Sequence, residues 1–211
     1  MLALILLAAA PVLALAQTVT VTGEADSRVK PDRAIITLGT ETEAPTARQV
    51  QRDSGKATQK LIKKLKEDGI PENRIKTAAY NLFLDRERDV FISTSILEFP
   101  VDKIEDVGKI LDDAVATGAN AVDNVFYTLN EPEAEQEKLL AKALRRSRSK
   151  AKKLAAAAGF EIAGIKKIEE GEVVGPIIAA EGGAETSGAP SPTNPGELKI
   201  TAMVKVTYKL K

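Results

Sequence analysis

The chain has 211 residues, 44% hydrophobic and 28% charged, enough to bury the core of one substantial domain. Its 30 basic and 30 acidic residues cancel, so no overall field favours nucleic acid or an anionic membrane. Cys and His are both absent, which removes thiolate chemistry, disulfides, imidazole bases and the soft ligands of zinc, copper, haem and iron–sulfur sites.

The N-terminal run MLALILLAAAPVLALA carries no charge and ends in Ala14-Leu15-Ala16 before Gln17, the small-x-small pattern that a signal peptidase cuts. Residues 1–16 are therefore expected to be a signal peptide. The run falls short of the roughly 20 residues a membrane-spanning helix needs, and Pro11 interrupts it. No Lys or Arg precedes it, which leaves the true start codon open. Without Cys the mature N-terminus has no thiol for a lipoprotein acyl group, so residues 17–211 are expected as one soluble domain in the periplasm.

Beyond Gln17, "TVTVT" alternates and "AIITLGTETE" (34–43) places Ile36, Leu38 and Thr40 on one face, two strands meeting at Lys30-Pro31-Asp32. Pro31 presets φ and Asp32 can accept from backbone amides, the chemistry of a corner. Val50, Ala57, Leu61 and Leu65 recur at helical spacing over 46–67, with Gly69 as the stop. "IKTAAYNLFL" (75–84) and "VFISTSILEF" (90–99) read as strands around the charged turn 85–89. Asp102 and Glu105 resemble a capping box before a helix with Ile104, Val107, Leu111, Ala114 and Val115 inward and Gly118 as its end. "AVDNVFYTL" (121–129) is the next strand. Strand, helix, strand, strand, helix, strand is the order of a ferredoxin-like βαββαβ core, an α+β sandwich.

A long helix follows over 133–158, with Leu139, Leu140, Ala143, Leu144, Ala151, Leu154 and Ala155 as its apolar stripe and Gly159 as its stop. A short strand is expected near 165–168. The Gly/Pro/Ala-rich stretch 173–196 reads as a long mobile loop. The closing "ELKITAMVKVTYKLK" puts Leu198, Ile200, Ala202, Val204, Val206, Tyr208 and Leu210 on one face. The N- and C-terminal strands thus flank the core as antiparallel additions, and a terminal strand this long with an open edge is a template for pairing with another chain.

The segments "VTVTGEADSRVKPDRAIITLGTET", "LKEDGIPENRIKT", "LDDAVATGANAVDNVFYTL", "AKALRRSRSKAKKLAAAAG" and "PGELKITAMVKVTYKL" together resemble the SIMPL-domain family of bacterial periplasmic immunogenic or outer-membrane antigen-like proteins. The first matches the family's V-x-G-x-G-x-x-x-x-x-P-D-x-A opening, with Ala25 in place of the second glycine. The Gly/Ala/Pro-rich loop before Pro195 is a second departure. The resemblance implies an extracytoplasmic, non-enzymatic, self-assembling protein linked to envelope integrity and stress tolerance, and it implies no catalytic residue.

Candidates for chemistry are few. Ser27 and Lys30 fit S-x-x-K, but a serine nucleophile of that type needs the pair on one helical face together with S-D-N and K-T-G elements, which are missing. The same spacing recurs at Ser147 and Lys150. The cations Arg145, Arg146, Arg148, Lys150, Lys152 and Lys153 close a helix that opens with glutamates, so they complement its macrodipole; lipid head groups are the functional alternative. Neighbouring carboxylates Asp112-Asp113 and Glu169-Glu170 diverge on a helix and a strand, so neither pair converges on one site. Tyr80, Phe83, Phe91, Phe99, Phe126, Tyr127 and Phe160 are expected in the core.

The reading that follows is a non-enzymatic periplasmic protein of envelope-associated assembly or binding, a homo-oligomer with weak envelope or lipid contact and no nucleic acid. No catalytic, cofactor or metal residue is assigned, no cofactor is expected, and the binding residues stay open. The alternatives are a monomeric periplasmic small-ligand-binding module and a serine hydrolase using an S-x-x-K pair.

Overall fold

A computed structural model describes residues 17–178 and 195–211, apart from the side chains of Glu172, Pro176, Ile177 and Ile178. Its elements are strands β1 (Thr18–Val29) and β2 (Arg33–Ala44), helix α1 (Ala47–Glu67), strands β3 (Lys76–Asp85) and β4 (Val90–Val101), helix α2 (Val107–Thr117), strand β5 (Ala121–Thr128), helix α3 (Pro132–Ala157), and strands β6 (Ile162–Ile178) and β7 (Leu198–Leu210). The mixture of helix and sheet is the expected α+β class. The signal peptide expected over 1–16 lies outside the described residues, as does 179–194 of the expected loop.

Two compact units emerge, one from Met1–Asp26, Glu137–Val173 and Thr201–Lys211, the other from Ser27–Gln136 and Val174–Ile200, in each case over their described residues. The second holds a four-stranded sheet in the order β3-β4-β2-β5. Strand β2 is antiparallel to β4, with Ile36 opposite Phe99 and Leu38 opposite Leu97. It is also antiparallel to β5, and β3 pairs antiparallel with β4. Alternate residues of β2 and β4 therefore face one side, where Ile36, Leu38, Leu97 and Phe99 meet Leu61 and Leu65 of α1 and Val107, Ile110 and Ala114 of α2 in one core. Truncating one of these leucines to alanine costs about 2–5 kcal/mol.

Thr46 caps α1: its backbone is extended and its hydroxyl accepts from the Gln49 amide at 3.3 Å. The capping box expected at Asp102 and Glu105 does not form. A single 3₁₀ turn at Ile104–Asp106 precedes α2, and the Asp102 carboxylate is taken by two arginines instead. Gly118 ends α2 at φ 117°, a backbone conformation costly for any residue with a Cβ. Asn120 then clips the following loop to β2, its side chain bonding both the amide and the carbonyl of Glu41. The charged turn between β3 and β4 is closed by Asp85, which accepts from the amides of Glu87 and Arg88.

The other sheet runs β1-β7-β6. Leu210 donates its amide to the Gln17 carbonyl, and the Thr20 and Thr207 hydroxyls meet at 2.9 Å, so β1 and β7 run in opposite directions. Strand β7 alternates as expected, with Leu198, Ile200, Ala202, Val204, Val206 and Tyr208 buried. Its edge is not open, however: β7 is the middle strand, with β1 and β6 on its two sides. Lysines on its other face are therefore the wet side of a central strand and not guards of an edge.

On α3 the buried residues are Leu139, Ala143, Ser147, Ala151 and Ala155, a strict row of every fourth residue. The row is made mostly of small side chains, and β1 comes close enough that a methyl group on Gly23 would fall 2.1 Å from the Ala143 carbonyl oxygen. This close approach is why a glycine is needed at position 23. Leu154, expected inward, is about half exposed because it lies off that row. The short strand expected at 165–168 is the 17-residue β6, which also takes the first residues, 173–178, of the expected loop.

Candidate functional site

The sequence between β1 and β2 builds a polar constellation of the second unit beside an open cleft. The Asp32 amide donates to the Thr128 carbonyl at 3.2 Å, while its carboxylate accepts from the Asn130 amide at 2.6 Å. Asp32, expected to accept from amides of its own corner, accepts instead from one just beyond the end of β5, so it anchors this segment to β5. The segment is not a hairpin turn, since β1 and β2 belong to different sheets. The next residue, Arg33, bonds the Asn130 side chain and donates to Asp102 at 2.9 Å. Arg74 reaches the same carboxylate, also at 2.9 Å.

Asp102 therefore sits between two guanidinium groups. The hydrogen bond from Arg74, with that from Arg33 behind it, holds its pKa down to about 2 against the opposing effect of desolvation. Beside this bridge lies an open cleft of about 460 Å³ lined by Lys30, Asp32, Asp102, Lys103, Glu105 and Glu197, with Pro31, Ile104, Pro195 and Gly196 between them. Charges of both signs on its rim, around a carboxylate that stays ionised, suit recognition of a polar ligand. They supply no activated nucleophile.

The serines of the two S-x-x-K matches fare differently from each other. Ser27 lies near the end of β1 and Lys30 just beyond that strand, three positions away, so an extended backbone sends their side chains to opposite faces. Ser147 is fully buried in α3, where its hydroxyl donates to the Leu144 carbonyl at 2.8 Å and shares a 2.8 Å hydrogen bond with the Tyr208 hydroxyl. That arrangement spends its hydrogen-bonding capacity on structure. Lys150 is exposed.

Charged residues of the basic run on α3 are exposed, and Arg146 donates to the Glu24 carbonyl at 3.0 Å. The carboxylate pairs diverge as expected. Asp112 is exposed, whereas Asp113 bonds Lys109 at 2.8 Å and Lys64 at 3.0 Å. These two lysines also hold Asp68, so a ring of four charges ties α1 to α2. Lys109 and then Lys64 bring the Asp113 carboxyl down to about 2, and the carboxylates raise Lys109 in return. Glu169 pairs with Lys167 at 2.9 Å. Glu170 lines an apolar groove of about 240 Å³ with Leu140, Leu144 and Ile168. Among the described residues no cluster of three or more carboxylates is placed to hold a metal ion.

The aromatic residues depart most from expectation. Phe99 and Tyr127 are in the core, but Tyr80, Phe83 and Phe126 are 49%, 51% and 43% exposed. Tyr80 and Phe83 lie on β3, the outermost strand, which the two helices do not cover: every residue from Lys76 to Leu84 is exposed. A second groove, about 420 Å³, runs between that strand and α1, lined by Gln51, Ser54, Gly55, Thr58, Gln59, Thr77, Tyr80 and Ser95. Sequence reasoning missed both this edge and the Arg33–Asp102–Arg74 bridge. The only available signal was the uncharged run Thr77–Leu84, which reads equally well as a buried strand.

Comparison with known proteins places these features in a family. The family description "SIMPL: Protein of unknown function (DUF541)" matches residues 19–208. A "26 kDa periplasmic immunogenic protein" of Brucella melitensis biotype 1 is 28% identical over 212 residues, covering 92% of this chain and 84% of that protein. The protein of the same name from Brucella abortus strain S19 matches to the same extent.

Proposed function

This chain belongs to the SIMPL family, and on that footing we propose that it is exported, loses residues 1–16, and works in the periplasm as a non-enzymatic assembly or binding protein of the cell envelope. In this reading it self-associates, and its role is tied to stress tolerance and envelope integrity, with the exposed cations of α3 available to lipid head groups. The periplasmic location in the names of the two Brucella relatives supports the compartment. The strand order β3-β4-β2-β5 with antiparallel neighbours supports a ferredoxin-like βαββαβ core for the second unit.

The observation that carries the assembly reading is the uncovered strand β3, whose Tyr80, Leu82, Phe83 and Leu84 are all exposed. Apolar surface concentrated along one strand stabilises a protein only when something covers it. Neither S-x-x-K match supports the hydrolase alternative, because Ser147 is engaged with Leu144 and Tyr208 and Ser27 has Lys30 on its far side. A second reading, a monomeric ligand-binding module, draws on the mixed-charge cleft at Lys30, Asp32 and Asp102.

Expression of the full-length gene in a Gram-negative host, followed by N-terminal and hydrodynamic mass analysis of the periplasmic fraction, tests the proposal. The expected product begins at Gln17 and sediments well above the protomer mass. Recovery of an uncleaved chain, or of a protomer at micromolar concentration, would overturn export or assembly respectively, and the latter would favour the ligand-binding module.

A further inference from the structure

Four strands end the two sheets, and they differ in how their free edges are guarded. On β6, Ile165 and Ile168 are exposed but stand among Lys166, Lys167, Glu169 and Glu170. On β1 the outward residues include Glu24, Asp26 and Arg28. The eight-residue β5 places Asp123 between its exposed Val122 and Phe126. Charges of this kind are the usual device that keeps an edge from pairing with another chain. Strand β3 has none between Lys76 and Asp85, and it carries a line of exposed large apolar side chains instead.

We infer that β3 is the self-association edge of this protein, pairing antiparallel with β3 of a second copy about a two-fold axis at Asn81. This rests on the self-association proposed above and names its surface. In a continuous sheet, residues directly opposite one another share a face, so a two-fold axis perpendicular to the sheet must pass through a residue opposite itself. With Asn81 on the axis, Tyr80 lies opposite Leu82 of the second copy, and Ala79 opposite its Phe83.

The rows already present in the sheet fit this register. Tyr80 and Leu82 lie opposite Ser95 and Ser93 on the helix-covered side, where the Ser93 hydroxyl bonds Ser54 of α1. Leu82 of the second copy then lands beside Tyr80, at the mouth of the groove between α1 and β3. Ala79 and Phe83 lie opposite Ile96 and Ile92 on the other side. Phe83 of the second copy extends that row beyond the small Ala79, so each large side chain meets a complementary space. An axis at Tyr80 would instead press tyrosine on tyrosine and set Leu84 against Lys76. In this register Thr77–Asp85 of the two copies face each other along about 30 Å of edge, interrupted by the bulge between Thr77 and Ala79.

Because the chain has no cysteine, a single introduced thiol reports a single position. Directly opposed residues bring their Cβ atoms within about 5 Å, close to disulfide reach. The full-length gene carrying Asn81→Cys is expressed, and the purified periplasmic protein is oxidised mildly beside an Asp123→Cys control on β5. The disulfide-linked dimer is expected to form on the order of tenfold faster for Asn81→Cys, because pairing raises the local thiol concentration. Asn81→Lys, which sets two like charges on the axis, is expected to lower the solution mass and to leave a folded protomer, with the melting temperature falling only by the part that association contributes. A multimeric wild type in which Asn81→Cys crosslinks no faster than the control, or in which Tyr80→Cys crosslinks in its place, overturns this edge and register while self-association stands. A wild type that remains a protomer overturns both.

Discussion

Strands β7 and β3 look alike in composition and end in opposite environments. The first alternates apolar and polar residues over 13 positions and is buried on one face; the second has an apolar run of similar strength and is exposed throughout. The difference is position. Strand β7 has a neighbour on each side, and α3 shares its buried hydroxyl contact, whereas β3 ends a sheet whose helices pack over β2 and β4. An apolar residue contributes stability only if something removes it from water, and along β3 none of the described residues does.

Placing a charge on each strand should separate them most. Val206→Lys buries an unpaired ammonium at a fully buried position of β7 and is expected to cost more than about 4 kcal/mol, enough to unfold the protein in a urea titration. Phe83→Lys on β3 is expected to leave the protomer's stability within about 0.5 kcal/mol of wild type. If both variants unfolded alike, β3 would be covered by the protein's own chain and the comparison would collapse.

A gentler probe uses the two tyrosines. Tyr208→Phe removes the hydroxyl partner of Ser147 but leaves the Ser147 bond to Leu144, so a loss of about 1 kcal/mol is expected by thermal or urea unfolding. Tyr80→Phe should be silent in stability. A silent Tyr208→Phe would mean that the buried hydroxyl pair contributes no net stability.

The smallest effect concerns the charges that fasten the β3 side of the fold. Asp102 has its pKa lowered, from 3.8 to about 2, so its bridge to Arg74 and Arg33 favours the folded state above the unfolded pKa and loses that effect as pH falls through the folded value. The window is therefore about pH 4 to pH 2. Since the Asp102 side chain is 48% exposed, solvent screening holds the contribution below about 1 kcal/mol. Asp102→Asn should accordingly lower stability at neutral pH by no more than about 1 kcal/mol and flatten the acid limb of an unfolding titration between about pH 4 and pH 2. An unchanged acid limb would show the bridge to be energetically idle.

Local chemistry was legible in the residues themselves. Alternation in β2 and β7 and the glycine stops at Gly69, Gly118 and Gly159 depend on residues near in sequence, where propensity and periodicity act. The divergence of Asp112 from Asp113 was readable for the same reason. Tertiary structure alone decided which strands lie inside a sheet and which end it, because strand order is set by packing between residues far apart in the chain. It moved β7 from a supposed edge to the middle, extended β6 into the expected loop, and left Tyr80 and Phe83 in water. Asp102 shows the same limit at a single residue: its sequence neighbours suggest a helix cap, and only folding brings Arg33 and Arg74, from other elements, close enough to claim its carboxylate instead.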